Sequence, residues 1–300
     1  MLEAEFSRIV RESAMAWLDR RRTDLVDFQW LATFEYDGQR IPLMDRQRGI
    51  RKPASFDAAL SIRTVFTGPG AIPPYEDAEG ADGLIRYKYR GNDPLHPENK
   101  ALRRAYLQQL PLIWFVGVSP GMYMPQYPVW IVGDEPKELQ FAIAVDQGQR
   151  LIKPGEDLSN DTRQYIERLN TVRLHQPLFR ARVLSAYKSR CAVCQLKHAE
   201  LLDAAHIIGD TKPNGQPIVP NGLAMCKIHH AAFDRYILGV RPDLTVAIRS
   251  DILAEVDGPM LRHGLQDMNN QRLFTPTGAH TRPDPERLEE RYSEFMAFSV

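Results

Sequence analysis

All three cysteines of the chain fall within one short stretch, at spacings that suit a tetrahedral metal site. Cys191-Ala-Val-Cys194 and Cys226-Lys-Ile-His229 form two chelating pairs, C-x2-C and C-x2-H. Three thiolates and one imidazole suit a structural Zn²⁺, closed by Cys191, Cys194, Cys226 and His229. Roughly 60 residues around two short strands cannot supply a sizeable core, so the metal would contribute folding free energy directly. Free thiols persist in a reducing compartment, and three cysteines are too few for a disulfide scaffold.

Three further residues in this stretch are left over for chemistry. His206 follows the apolar, strand-like run Leu201–Ala205. A neutral imidazole there can take a proton near neutral pH, with a backbone carbonyl expected on its other ring nitrogen to fix the tautomer. His230 directly follows His229 at the start of a helix expected over 228–236. Adjacent helix positions point about 100° apart, so one histidine faces the knuckle and the other the first strand pair. His230 is thereby placed to hold a catalytic divalent metal, Mg²⁺ or Mn²⁺. Asp234 lies one helical turn beyond it and is the favoured second ligand. Asp203, three residues before His206, is set aside because strand alternation turns it to the opposite face. Asn221 opens the second expected strand, and its amide can bond the loop 209–220 and hold the His206 strand in place. The plainer alternatives are a satisfied core histidine, an exposed helix residue and a turn asparagine.

The order His206, Asn221, His230 between two zinc knuckles resembles the HNH nucleases, whose fold is the ββα-metal motif. The wider run is similar to HNH domains of bacterial restriction endonucleases. It comprises His175-Gln-Pro-Leu-Phe-Arg180, Val183–Tyr187, Cys191–Cys194, Leu202–Ile207, Asn221–Cys226 and His229–Asp234. The resemblance implies that His206 is the general base for water attacking phosphorus, that the substrate is double-stranded DNA, and that the products carry 5′ phosphate and 3′ hydroxyl. The family often has an acidic metal ligand immediately before the base; here that position is Ala205, which leaves the second ligand open. Residues 1–150 share none of these motifs.

With 300 residues the chain has room for two domains. Its formal net charge of +0 argues against a protein that coats nucleic acid indiscriminately. Local basic runs remain: Arg46, Arg48, Arg51 and Lys52, then Arg173, Arg180, Arg182, Lys188 and Arg190. No apolar run is long enough to span a membrane and no cleavable leader is visible, so a cytoplasmic protein is expected.

The elements that must carry the site change period along the chain. Residues 3–22 read as an amphipathic helix. A hairpin is expected over 31–44, with Asp37-Gly38 at its turn. Strands are expected at 84–89, 112–118, 129–132 and 141–145, and a helix at 98–109. Pro- and Gly-bearing loops at Gly68–Pro74 and Ser119–Pro128 separate them. The expected fold class is α+β: a β-rich N-terminal domain (1–150) for DNA recognition, a linker and helix (151–175), and a zinc-stapled nuclease domain with a C-terminal extension (176–300). In the first domain, Tyr87, Tyr89 and the Tyr123–Tyr127 segment are candidates to meet bases. The expected function is a metal-dependent DNA endonuclease of restriction type, with a modified base as one candidate target. A homodimer would cut both strands. The competing class is a non-catalytic zinc module that binds DNA or protein.

Overall fold

A computed structural model describes residues 2–21, 23–67, 79–80 and 82–298 of the chain. The expected loop Gly68–Pro74 lies outside these residues. The chain divides into two units, Met1–Pro177 and Leu178–Val300.

In the first unit the helix Leu2–Leu18 buries Val10, Ala14 and Leu18 on one face. Arg11 is buried on the same face, and its guanidinium donates to the carbonyls of Ala59 (2.6 Å) and Pro111 (2.7 Å). Those bonds compensate for much of the desolvation of the cation. The helix packs into a core with Leu31, Phe34, Leu43, Phe56, Ile113 and Phe115. Among the described residues the sheet beside it has seven strands, in the order Ile50–Arg51, Ser61–Thr64, Leu112–Ser119, Met122–Glu135, Gln140–Ala144, Ile85–Lys88, with Val26–Asp27 also pairing to Met122–Glu135. Only Ser61–Thr64 and Leu112–Ser119 run parallel; the other pairs are antiparallel. Residues Leu112 to Val118 are all buried, as a central strand covered on both faces requires.

Two sequence expectations change here. The hairpin turn forms with positive φ at Asp37 (50°) and Gly38 (70°), but its strands are only Glu35–Tyr36 and Gln39–Arg40. Residues Phe28–Leu31 form a helical turn instead, because the Asp27 carboxylate accepts from the Trp30 N–H and caps it. The segment Ser119–Pro128, expected as a loop, is mostly strand. A tight turn at Gly121 (φ 75°) sends the chain back along Leu112–Ser119; Pro128 falls within a register shift, while Pro125 pairs in register with Phe115.

Residues 151–175 fall within the first unit. Asp146 and Gln149 form a capping box on Gln147–Leu151, and Gly155 N–H donates to Asp82 Oδ2 at 2.8 Å. These bonds tie the polar stretch down. The chain then runs helically from Asn160 to Ala186, with a π turn at Thr171–His175 between two α-helical segments.

In the second unit the strands Leu202–His206 and Gly222–Cys226 pair antiparallel and lead into the helix Lys227–Asp234, which is the ββα order. A hairpin, Leu238–Val240 with Val246–Ile248, follows. The last helix, Pro285–Ala297, is part of the same core: Leu288 and Phe295 are buried, and the Arg291 guanidinium lies 4.7 Å from the Phe233 ring and 4.1 Å from the Tyr236 ring. Among the described residues no helix is long and apolar enough to cross a membrane.

Candidate active site

The ligand atoms of Cys191, Cys194, Cys226 and His229 all lie within 4.8 Å of one another, a group that could hold a metal ion. Cys226 ends the second strand, and its N–H points at Cys191 Sγ from 3.3 Å. His229 stands in the first turn of the next helix, with Nδ1 at 3.1 Å from Cys226 Sγ and 3.4 Å from Cys191 Sγ. Its Nε2 is 2.8 Å from the Gly264 carbonyl oxygen. A carbonyl only accepts, so Nε2 carries the proton and Nδ1 keeps its lone pair for a metal. Contacts among the crowded thiols push the Cys191 thiol below its ordinary range and the Cys194 thiol above it. The donor set fits zinc.

His206 ends the first strand, opposite Gly222. Its ring stacks on Phe179, with centroids 4.1 Å apart and planes 18° apart. Its Nε2 is buried and has no hydrogen-bond partner among the described residues. The carbonyl expected to fix its tautomer is therefore not at that nitrogen. Burial lowers the His206 pKa and His230 lowers it further, against opposing pulls from Asp210 and Asp234.

Asn221 is wholly buried. Its Oδ1 accepts from Ile208 N–H (2.9 Å), while Nδ2 donates to the carbonyls of Ile208 (2.9 Å) and Gln216 (3.1 Å). All of its side-chain bonds therefore go to the loop that follows His206.

His230 lies between two carboxylates. Its Nε2 is 3.4 Å from Asp234 Oδ2, one turn along the helix, and its Nδ1 is 3.6 Å from Asp203 Oδ2. Asp203 thus belongs to this cluster, contrary to the face-by-face argument from strand alternation. The strand does not alternate cleanly: Leu202 and Ala205 are buried, while Asp203, Ala204 and His206 are half-buried. Asp203 also meets Lys227 Nζ at 2.5 Å and Arg180 Nε at 3.5 Å. Burial alone would raise its carboxyl, but the Lys227 bond and charge, with His230, hold it below its ordinary value. Asp203 was weighed from the sequence and set aside, whereas Phe179, Arg180 and the Gly264 carbonyl were not foreseen as neighbours of the site. Phe179 and Arg180 were signalled by their place in the run His175–Arg180, and Arg180 also by the basic run from Arg173 to Arg190.

Residues 191–241 match the family model described as HNH endonuclease. The second unit thus carries an HNH endonuclease domain. No curated protein matches the chain significantly. Among solved structures, one titled a modification-dependent TagI restriction endonuclease is 19% identical, over 83% of this chain and 85% of that one, with a TM-score of 0.29. Another, titled the type IV phosphorothioation-dependent restriction endonuclease ScoMcrA, is 15% identical, over 83% of this chain and 53% of that one, with a TM-score of 0.24. At such scores neither likeness establishes a shared fold. The HNH match covers the whole Cys–His quartet, His206, Asn221 and His230, and stops short of Phe179, Arg180 and Gly264.

The basic and aromatic segments of the first unit are largely occupied. Tyr87 Oη bonds the carbonyls of Gly49 (3.1 Å) and Arg63 (3.2 Å), and Tyr89 is buried against Phe141. Lys52 Nζ donates to Phe56 O (2.6 Å), Arg51 Nε to Pro42 O (3.1 Å), and Arg46 lies over the Phe28 ring. An open cleft of about 410 Å³ elsewhere in this unit is lined by Arg20, Arg21, Leu25, Asp27, Trp30 and Met122, among others.

Proposed function

We propose that the chain is a metal-dependent DNA endonuclease of restriction type, with its reaction centre at His206 and His230. The observation that carries this reading is the HNH domain with its general-base candidate intact. His206 is half-buried, and burial favours its neutral form; its unpartnered Nε2 is buried, so meeting the water falls to Nδ1. In this role His206 takes the proton from the water that attacks the phosphodiester. His230 Nε2 and Asp234 would hold the catalytic divalent ion, because they face each other across 3.4 Å. Such an ion supplies positive charge at the scissile phosphate. The Asp203 carboxylate, 3.6 Å from His230 Nδ1, favours a proton on that nitrogen and leaves Nε2 for the ion, while Lys227 keeps Asp203 ionised and Arg180 helps hold it in place. Zn²⁺ on Cys191, Cys194, Cys226 and His229 is structural in this account, fastening the second strand to the helix that bears His230.

Holding DNA falls to the first unit in this reading. Its cleft sets the exposed Arg20 beside the half-exposed indole of Trp30, one face of which stacks on Trp17, a combination that can meet phosphates and bases; Arg21 and the Tyr87 and Tyr89 hydroxyls are already engaged inside the fold. One centre per chain cuts one strand, so a double-strand break needs two protomers or two visits. Nicking of supercoiled plasmid with Mg²⁺ or Mn²⁺ tests the reading. Parallel digests of unmodified, methylated, hydroxymethylated and phosphorothioated DNA show whether a modification is required. A zinc-loaded protein that binds DNA but cuts none of these would instead be a non-catalytic zinc module.

A further inference from the structure

The run His175-Gln-Pro-Leu-Phe-Arg180 lies outside the matched HNH segment, yet two of its side chains touch the His206 strand. Arg180 donates to the carbonyls of Ala199 (3.0 Å) and Leu202 (2.9 Å), where that strand begins. Phe179 reaches the other end and lies flat on the His206 imidazole. The helix can come this close because residue 222, opposite His206 in the ladder, is glycine. A Cβ there would sit 2.4 Å from Val183 Cγ2 and 3.0 Å from Phe179 Cζ.

We propose that Phe179 is the positioning residue for His206: its ring, rather than a carbonyl on Nε2, fixes the plane of the imidazole. A hydrogen bond fixes a histidine by holding one nitrogen. A stacked ring fixes the plane through face-to-face contact and excludes water from one side of it. Among the described residues no hydrogen bond holds Nε2, and the ring torsion has only a broad intrinsic preference, so the stacked Phe179 ring is the contact that restrains χ2. A general base displaced by about 1 Å, or turned by a comparable amount, loses of order a hundredfold in rate. The Phe179 ring therefore acts on catalysis without touching substrate.

The inference rests on the nuclease reading, and its test separates the two. Single-turnover cleavage and the His206 ring-proton signals are measured for the full zinc-loaded protein and for Phe179→Leu and Phe179→Met, each also combined with His206→Ala. Loss of the ring should lower the cleavage rate constant at least about tenfold with little change in DNA affinity. It should move the His206 signals away from their ring-shifted positions, and it should cost nothing further once His206 is alanine. In the unsubstituted protein, cross-relaxation between Phe179 and His206 ring protons should be present, a readout that needs no variant to fold. An equal loss in the His206→Ala background, or the absence of that cross-relaxation, overturns the positioning role. A protein that cuts no DNA with either metal overturns the nuclease reading, whatever the ring signals show.

Discussion

Asn221 has no exposed surface, and its side chain bonds three backbone groups of one loop. Replacing it with alanine strands Ile208 N–H and Ile208 C=O inside the protein and leaves Gln216 C=O with less company. Each buried backbone group left unsatisfied costs about 1–3 kcal/mol, and the half-exposed third costs less. The sum is about 3–5 kcal/mol, a large part of the 5–15 kcal/mol that typically separates a folded domain from its unfolded chain. The four tryptophans, Trp17, Trp30, Trp114 and Trp130, all lie in the first unit, so indole fluorescence follows that unit and zinc release follows the second. With a urea dependence of about 1–3 kcal/mol per molar, Asn221→Ala should lower the zinc-release midpoint by roughly 2 M and leave the tryptophan transition nearly where it was. Asn221→Asp keeps the acceptor for Ile208 N–H but sets a carboxylate against two carbonyls. Its folded pKa should be raised above the unfolded value of about 3.9. The variant should therefore be less destabilised at low pH and lose stability as pH rises through the folded pKa. A zinc-release midpoint for Asn221→Ala within about 0.5 M of the unsubstituted protein would refute the claim that this side chain fastens the loop.

Other consequences follow from the same geometry. Cys226→Ser should release the metal and unfold the second unit, seen as loss of zinc in elemental analysis and of the far-ultraviolet helix signal; a folded, zinc-loaded variant would contradict the ligand set. Asp234→Asn should raise the Mg²⁺ concentration needed for half-maximal cleavage about tenfold or more, whereas Asp203→Asn should mainly lower the rate at saturating metal, since it orients His230. Identical metal titrations for the two variants would contradict that division. His206 accepts a proton only while neutral, and its pKa is lowered from 6.5, first by burial. The acid limb of single-turnover cleavage should therefore lie below pH 6.5, with the rate falling as pH drops through it. A limb centred at or above 6.5 would rule out His206 as the titrating base.

What was legible in the sequence was whatever chelation or turn chemistry writes into adjacent residues. Two knuckles at C-x2-C and C-x2-H spacing announce the quartet whose ligand atoms converge within 4.8 Å, and Asp37-Gly38 announces its own turn because both residues need positive φ. Contacts made across the fold leave no such trace. Phe179 meets His206 only because a glycine in a third element clears the way. Asp203 reaches His230 because the strand departs from a two-residue period, which no spacing rule anticipates. In the first unit, Arg51, Lys52, Tyr87 and Tyr89 have the composition of a nucleic-acid face, yet their polar ends are turned to backbone carbonyls or buried side chains. Charge and aromaticity were visible; the partners that consume them were not. Ser119–Pro128 was obscured by its prolines, which suit a loop locally but lie here in a strand that the turn at Gly121 folds back onto its neighbour.

The most direct test of the central claim is cleavage of plasmid DNA by the zinc-loaded full-length protein, with Mg²⁺ or Mn²⁺, beside His206→Ala at matched zinc content. The account predicts metal-dependent nicking or linearisation of at least one of the unmodified or modified substrates, reduced by about a hundredfold or more in the variant, the usual worth of a general base. Equal cleavage by both proteins, or none by either on any substrate, would contradict it.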